Sequence, residues 1–187
     1  LYIVRDPRDV ALSEYYFDIK RRAIAEDFPI ADFVSRFVRG ELNHPYGTWG
    51  ENVSTWFYAR RGDSRFLLVT YEALLAQPME EMERIARFMD VPADAERLAF
   101  AIERSSADRM RALEKKQGHL WSSTKQTRQD KPFVRSAKAG GWKAELPEAS
   151  VAEIEGAWGS LMREIGYELG ASGVAAEMEE DRAGTRR

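Results

Sequence analysis

Apolar and polar positions change their rhythm within the first residues of the chain. Residues 1–4, Leu-Tyr-Ile-Val, form a short apolar run with two β-branched members, which is typical of a buried strand. The run stops at Arg5, and a helical pattern then begins, for which Asp6 is a favourable N-cap and Pro7 suits the first helical position. The pattern predicts a strand, a corner at Arg5 and a helix that ends near Arg22.

A second strand is predicted over Arg65–Glu72, where apolar residues are continuous. Because helical patterns lie between the two strands, a right-handed crossover and parallel pairing are expected. The predicted fold class is α/β, a parallel sheet flanked by helices. The other predicted helices are one with Ile30, Phe33, Phe37 and Val38 inward, one with Trp49, Val53, Trp56 and Phe57 in the core, two opened by Pro78 and Pro92, one started by Ser105, and a last one opened by the capping box Ser150–Glu153 and ended by Gly166.

The composition is that of a globular protein, with 187 residues of which 44% are hydrophobic. The absence of Cys excludes disulfides, thiolate metal sites and cysteine nucleophiles, and it fits the cytoplasmic location that we expect. No apolar run approaches the roughly 18 residues of a membrane span, so no membrane partner is expected. The chain begins without Met inside a predicted strand and is interpreted as the carboxyl-terminal part of a longer protein.

Charge is unevenly distributed along the chain. The net charge of −3 argues against a nucleic-acid partner, yet the segment Lys115–Lys143 carries eight basic residues and one acid, a net +7 against −10 for the rest. Such a segment suits a small polyanion, although a solvated basic loop is the commoner explanation. Within it, Lys116–Pro132 has no periodicity, and a loop of that length is usually functional or disordered.

Arg5 and Ser13 are the first candidates for ligand binding. Arg5 lies at the predicted carboxyl end of a strand, beside a helix N-terminus, where α/β proteins bind anions. Ser13 shares a helix face with Val10 and Phe17, a face that should be buried. The two side chains could converge on one phosphate. However, an Arg at a strand end is often solvated, and a helical Ser often bonds to a carbonyl one turn earlier, so the residues alone leave both interpretations open.

Residues 2–17 closely resemble the 3′-phosphate-binding segment of sulfotransferases that use 3′-phosphoadenosine 5′-phosphosulfate (PAPS). In that family an Arg and a Ser, at the same separation of eight, hold the 3′-phosphate of the nucleotide. The resemblance implies this role for Arg5 and Ser13. It also implies the sulfotransferase fold, which is related to P-loop nucleoside kinases, with its N-terminal part absent from these residues.

Looser resemblances follow in the family's order. Tyr71 matches the Tyr of a Tyr-Glu pair that contacts adenosine in the family, and Ser106 lies in a segment similar to the Thr/Ser-Ser-Phe stretch that helps to hold adenine. Gly47-Thr48-Trp49 is similar to a Gly-Ser/Thr-Trp segment near the family's acceptor pocket.

Residues 133–143 are similar to the family's Arg-Lys-Gly…Gly-Asp-Trp-Lys segment, which completes the 3′-phosphate site. Arg135 matches the Arg of that segment, whereas Ser136 and Ala137 replace the Lys and the Gly. Lys138 is the candidate for the missing charge.

The resemblance therefore implies an enzyme, a PAPS-dependent sulfotransferase that transfers a sulfuryl group to a hydroxyl or amine of a small-molecule or glycan acceptor without a metal. No catalytic residue is expected in this chain, because the family's phosphosulfate loop and catalytic base precede the strand at Leu1, and neither His44 nor His119 lies where the base should be. Residues 1–169 are interpreted as the C-terminal portion of one sulfotransferase domain and 170–187 as a mobile charged tail. The chain alone is predicted to be inactive, and its oligomeric state stays open.

Two other functions remain open at this point. A kinase-like P-loop enzyme shares the sheet but does not recognise a 3′-phosphate. A non-catalytic module instead binds an acidic polymer through the Lys115–Lys143 segment, and that function depends on Lys125, Arg128 and Lys131 rather than on Arg5.

Overall fold

The computed structural model describes residues 1–42 and 45–170. His44 and residues 171–187, most of the predicted tail, lie outside this range. Within the described residues the elements are, in chain order, β1 (Tyr2–Val4), α1 (Pro7–Lys20), α2 (Ile30–Arg39), α3 (Trp49–Arg60), β2 (Leu68–Thr70), α4 (Tyr71–Ala76), α5 (Pro78–Phe88), α6 (Ala95–Arg104), α7 (Ala107–Gln117), α8 (Trp142–Glu145) and α9 (Glu148–Ile165).

The two strands pair in parallel, which confirms the predicted α/β arrangement. Val4 lies opposite Thr70, so the carboxyl ends of β1 and β2 coincide. β2 is shorter than predicted, because the Thr70 side chain accepts a hydrogen bond from the Ala73 N–H and starts α4 at Tyr71. Tyr71 is therefore the first residue of a helix rather than the end of a strand.

Helix α1 begins where the sequence predicts and ends two residues earlier. The Asp6 side chain accepts a hydrogen bond from the Arg8 N–H, and Pro7 occupies the first helical position. The face that carries Ala11, Leu12, Tyr15 and Ile19 is buried.

The core lies where α1, α2, α3 and α9 meet one end of the sheet. Each helix contributes side chains that are at most about a tenth exposed, and burial of such residues is the main stabilising contribution to the fold. Its fully or nearly buried members are Val4, Ala11, Tyr15, Ile19, Phe33, Val34, Phe37, Trp49, Val53, Ile154, Leu161 and Met162.

Three predicted helix starts are displaced. The N-cap of α6 is Asp94 rather than a residue beside Pro92, and the N-cap of α7 is Ser106 rather than Ser105. The prediction of a capping box at Ser150 was wrong, because α9 already starts after Pro147. Ser150 lies within the first turn of that helix, and its side chain is buried. The Gly166 stop is confirmed, with φ of 104° in the left-handed region that favours glycine.

The core prediction for Trp56 was wrong as well. Its side chain is 45% exposed, and its ring lies against that of Tyr2 with centroids 6.0 Å apart. Trp49 and Val53 of the same helix are buried as predicted. The four aromatic and aliphatic positions of α3 therefore do not all face the core, because the helix is covered on one side only.

The aperiodic segment after α7 forms consecutive turns that pack on α1. Thr124 is buried within it, and the buried Lys20 ammonium donates hydrogen bonds to the carbonyls of Arg128 at 2.8 Å and Lys131 at 2.6 Å. Lys20 thus fastens this segment to the end of α1. In the described part of the chain, no helix combines the length and the apolar content that a membrane crossing requires.

Candidate functional site

The carboxyl ends of the two strands bring Arg5 and Tyr71 together. The Arg5 guanidinium carbon lies 4.6 Å from the centroid of the Tyr71 ring, which is a cation–π distance. The indole N–H of Trp49 donates to the Arg5 carbonyl at 3.0 Å and holds the corner in place. The expected proximity of these two residues follows directly from the parallel register.

The Arg5 guanidinium is only partly satisfied. Its Nη2 donates to the Lys138 carbonyl at 3.1 Å and lies 3.8 Å from a carboxylate oxygen of Asp9. Its Nε is buried and has no hydrogen-bond partner within the described residues. An unpaired buried donor costs about 1–3 kcal/mol, so an acceptor that reached Nε would be bound favourably.

Arg5, Ser13, Tyr71 and Arg135 line one cavity of about 560 Å³. The structure thus brings together four of the six predicted nucleotide-binding residues. Ser13 was predicted to lie on a buried helix face, but it is exposed, because the stripe formed with Val10 and Phe17 faces the cavity. The helical face was identified correctly, whereas its surroundings were not. The remaining lining residues include Asp9, Leu12, Glu14, Tyr16, Ser123, Pro132, Phe133, Val134, Ser136 and Ala137.

The opposite wall of the cavity is the segment 133–137, and side chains of α7 organise it. The Arg111 guanidinium donates to the carbonyls of residues 134, 135 and 136 at 2.9–3.2 Å. The Glu114 carboxylate accepts the N–H groups of residues 133 and 134. Ala137, which stands where the family has Gly, has φ of 50° and so adopts the left-handed conformation that a glycine would adopt there.

Asp9 fastens the next part of this segment to α1. One carboxylate oxygen accepts the Gly140 N–H at 2.6 Å and the other accepts the Trp142 N–H at 3.1 Å. The side chain is almost fully buried and also faces Arg5. Asp9 therefore links the cation of one cavity wall to the backbone of the other.

Arg135 is engaged by neighbours on the cavity rim. Its Nη1 donates to both Glu145 carboxylate oxygens, at 3.0 and 3.1 Å, and its guanidinium lies 4.0 Å from the centroid of the Tyr16 ring. The Tyr16 hydroxyl donates to Glu145 at 2.6 Å, and this hydrogen bond raises the pKa of Tyr16. Burial acts to raise the pKa of Glu145, but the hydrogen bonds from Tyr16 and Arg135 outweigh it and lower that pKa.

Arg8 and its partners form a buried ionic cluster that sequence reasoning missed. The guanidinium donates to Asp6 at 2.6 Å and to Glu155 of α9 at 2.5 Å, and it stacks 3.9 Å from the ring centroid of Trp142. Glu155 also accepts the Gly170 N–H, so the start of the predicted tail is held in place. The cluster joins α1, α8 and α9.

Glu72 connects the two strand ends. Its carboxylate accepts the Asp6 N–H and the Tyr167 hydroxyl, each at 3.0 Å. Burial and the charge of Glu72 raise the pKa of Tyr167. The Glu of the Tyr-Glu pair is thus a structural residue, whereas the preceding Tyr71 faces the cavity.

Two predicted site residues do not line the cavity. Ser106 is exposed, and its hydroxyl accepts the Arg109 N–H as the cap of α7. Lys138 contributes its carbonyl to Arg5, but its side chain is exposed. Within the described residues, no three His, Cys, Asp or Glu side chains cluster as a metal site would require.

A second cavity of about 350 Å³ adjoins the first, and Arg5, Val10 and Glu14 border both. Its walls are mainly apolar and include Gly47-Thr48-Trp49, the segment predicted to lie near an acceptor pocket. The Tyr2 hydroxyl, on its wall, donates to Asn52 at 2.6 Å. Such a cavity can accept a small, largely apolar molecule.

Part of the basic segment Lys115–Lys143 is engaged in ion pairs within the chain. Arg128 pairs with Glu26 and Asp130, and Lys131 pairs with Glu26 as well. Two of the three cations that the polymer-binding alternative requires are thus engaged in ion pairs.

Comparison with known proteins identifies the family to which the chain belongs. The family model described as "Sulfotransferase domain" matches residues 1–166. Among curated relatives, Sulfotransferase 1E1 of Mus musculus is 27% identical over 149 residues, which cover 80% of this chain and 50% of that protein. Cytosolic sulfotransferase 12 of Arabidopsis thaliana is 31% identical over 160 residues, 83% of this chain and 47% of that protein. The chain spans about half the length of the curated relatives it matches.

Two solved structures share the fold of this chain. Mouse sulfotransferase SULT7A1 complexed with PAP superposes with a TM-score of 0.70 at 20% identity, over 98% of this chain and 62% of that one. Retinol dehydratase in complex with androsterone and inactive cofactor PAP gives 0.72 at 22% identity, over 89% and 48%. Because the family model covers well over half of the sequence, this chain belongs to the sulfotransferase family.

Proposed function

We propose that this chain forms the 3′-phosphate site and part of the adenosine site of a PAPS-dependent sulfotransferase. The observation that carries the proposal is the partly satisfied Arg5 guanidinium, a set of donors beside a cavity that Arg5, Ser13 and Arg135 line together. A phosphate supplies the acceptor oxygens that such donors lack. The PAP named in two structural neighbours supports this choice of ligand.

Tyr71 and the backbone of residues 136–138 complete the proposed site. The Tyr71 ring already stacks on Arg5 and offers an apolar face beside the phosphate, which suits the ribose or adenine of the nucleotide. Ser106 and the Lys138 side chain lie outside the cavity wall, so they take part only if nucleotide binding moves their segments.

In the whole protein, the sulfuryl group of bound PAPS passes to an acceptor oxygen or nitrogen. The sulfur–oxygen bond to the nucleotide breaks, the bond to the acceptor forms, the acceptor loses a proton and PAP departs. The residues of this chain bind and orient the nucleotide, which lowers the barrier by positioning. None of them is assigned to the sulfuryl group itself, so we propose that the chain alone is inactive and that residues 1–169 are the C-terminal portion of the catalytic domain.

The second cavity is the proposed place of the acceptor. It adjoins the nucleotide cavity at Arg5, and its apolar walls favour a small hydroxyl-bearing molecule over a glycan. Relatives agree with this class, since one is named 3-beta-hydroxysteroid sulfotransferase and another was solved with androsterone. A cytoplasmic location is proposed with it, supported by the Arabidopsis relative named cytosolic.

Isothermal titration calorimetry of the chain with PAP and with AMP tests the proposal. PAP is expected to bind at least about tenfold more tightly, because one charge-assisted hydrogen bond contributes about 1.5–3 kcal/mol and 1.4 kcal/mol is a factor of ten. Arg5→Ala should remove that preference. Arg61→Ala, which breaks an exposed ion pair with Glu164, is the matched control and should keep it.

Each alternative predicts a different result. Equal affinity for PAP and AMP would favour the kinase-like enzyme. A sulfated polymer whose binding survives Arg5→Ala but is lost on replacing Lys125, Arg128 and Lys131 would favour the polymer-binding module.

A further inference from the structure

Arg135 is paired with a carboxylate of the same chain. Its Nη1 lies 3.0 and 3.1 Å from the two Glu145 oxygens, and both side chains are about a third exposed. The guanidinium therefore faces two competing anions when a nucleotide enters the cavity, the internal carboxylate and the incoming phosphate.

Glu145 is held in place by more than Arg135. The Tyr16 hydroxyl donates to it at 2.6 Å, and Tyr16 itself lines the nucleotide cavity. Glu145 ends the short helix α8, whose first residue, Trp142, is fastened to Asp9 through its N–H. The Tyr16 hydrogen bond and the anchored helix α8 therefore both position this carboxylate beside Arg135.

We propose that Glu145 is an affinity-setting residue, a built-in counter-ion that the 3′-phosphate must displace from Arg135. This inference rests on the proposed function. A phosphate dianion can compete with a carboxylate for a guanidinium, because it carries more charge and three acceptor oxygens. A nucleotide without the 3′-phosphate does not compete with Glu145 for Arg135, so the residue weakens the binding of PAP, leaves that of AMP unchanged and thereby narrows the preference for 3′-phosphorylated nucleotides.

The test measures PAP and AMP affinities of Glu145→Gln by calorimetry. The amide is nearly isosteric but neutral, so the competing charge is removed. PAP is expected to bind about tenfold more tightly than to the parent chain, a change of about 1.4 kcal/mol, while AMP affinity stays the same. The matched control is Glu164→Gln, which neutralises a carboxylate paired with Arg61 away from the cavity and should change neither affinity.

A double-mutant cycle identifies Arg135 as the route of the effect. In an Arg135→Ala background, Glu145→Gln should no longer tighten PAP binding, a result that a general change in net charge or folding would not produce. Unchanged or weaker PAP binding by Glu145→Gln would overturn the inference, as would an equal gain for AMP or a gain that persists without Arg135. Failure of the parent chain to distinguish PAP from AMP would overturn the proposed function itself, and the inference with it.

Discussion

Replacing Asp9 with Asn should detach the segment 140–142 from α1. The buried carboxylate accepts one backbone N–H on each oxygen, from Gly140 and from Trp142. An amide of the same shape offers one acceptor and one donor group, so one backbone N–H would face an NH₂ group instead of an oxygen.

The cost follows from these contacts. A hydrogen bond to a charged group contributes about 1.5–3 kcal/mol, and a buried donor left unpaired adds a penalty of about 1–3 kcal/mol. The charge that lies 3.8 Å from the Arg5 guanidinium is lost at the same time. Because partial relaxation of the loop recovers some of this, the free energy of unfolding should fall by about 2–4 kcal/mol.

Urea unfolding followed by tryptophan fluorescence measures the loss, and limited proteolysis shows whether cleavage concentrates near residues 138–142. Asp94→Asn is the matched control. Asp94 is an exposed N-cap of α6, and Asn caps a helix equally well, so its change should stay within about 0.5 kcal/mol. An equally small change for Asp9→Asn would refute the argument that this carboxylate organises the cavity wall.

Three further predictions concern stability. Ala137→Gly should raise the free energy of unfolding by about 0.5–1 kcal/mol in urea titrations, because relief of the left-handed strain exceeds the entropy cost of glycine; a loss of stability would contradict it. Arg8→Met should lower that free energy by about 3–5 kcal/mol, since it leaves buried carboxylates unpaired, and adding Glu155→Gln should restore part of it. The hydrogen bond from Lys131 lowers the pKa of Glu26, so this contact stabilises the protein above the usual Glu pKa of 4.5 and is lost as the pH falls through the lower folded value; the melting temperature of Glu26→Gln should lie below that of the parent chain at pH 7 and meet it in acid.

The part of the site that lies on regular elements was predictable from sequence. Parallel strands place their carboxyl ends at one edge, so Arg5 and Tyr71 had to be neighbours once both strands and the crossover were recognised. Helical spacing likewise showed that Ser13 shares a face with Val10 and Phe17. Helical spacing does not reveal what packs against a face of a helix. The face of Ser13 borders a cavity rather than the core.

The contacts that close the site were not predictable. Asp9 meets Gly140 across 131 positions of sequence, and no local pattern encodes such a pairing. The bond between Arg135 and Glu145 depends on how the short helix α8 turns the chain back, and Arg8 showed only as one charge among several near a helix start. Nothing in the local sequence distinguishes Arg8 from a solvated charge in a first helical turn, so its burial could be seen only in three dimensions.

The support that Arg111 and Glu114 give to the segment 133–136 has a consequence for variation. Within this segment, the two side chains bind main-chain carbonyls and N–H groups, which every residue type except proline can provide. The shape of this wall is thus encoded on α7, while the side chains of the wall remain available for change. Substitutions at 134 or 136 can retune what the cavity accepts at little structural cost, whereas a change at Arg111, which lines neither cavity, would deform it.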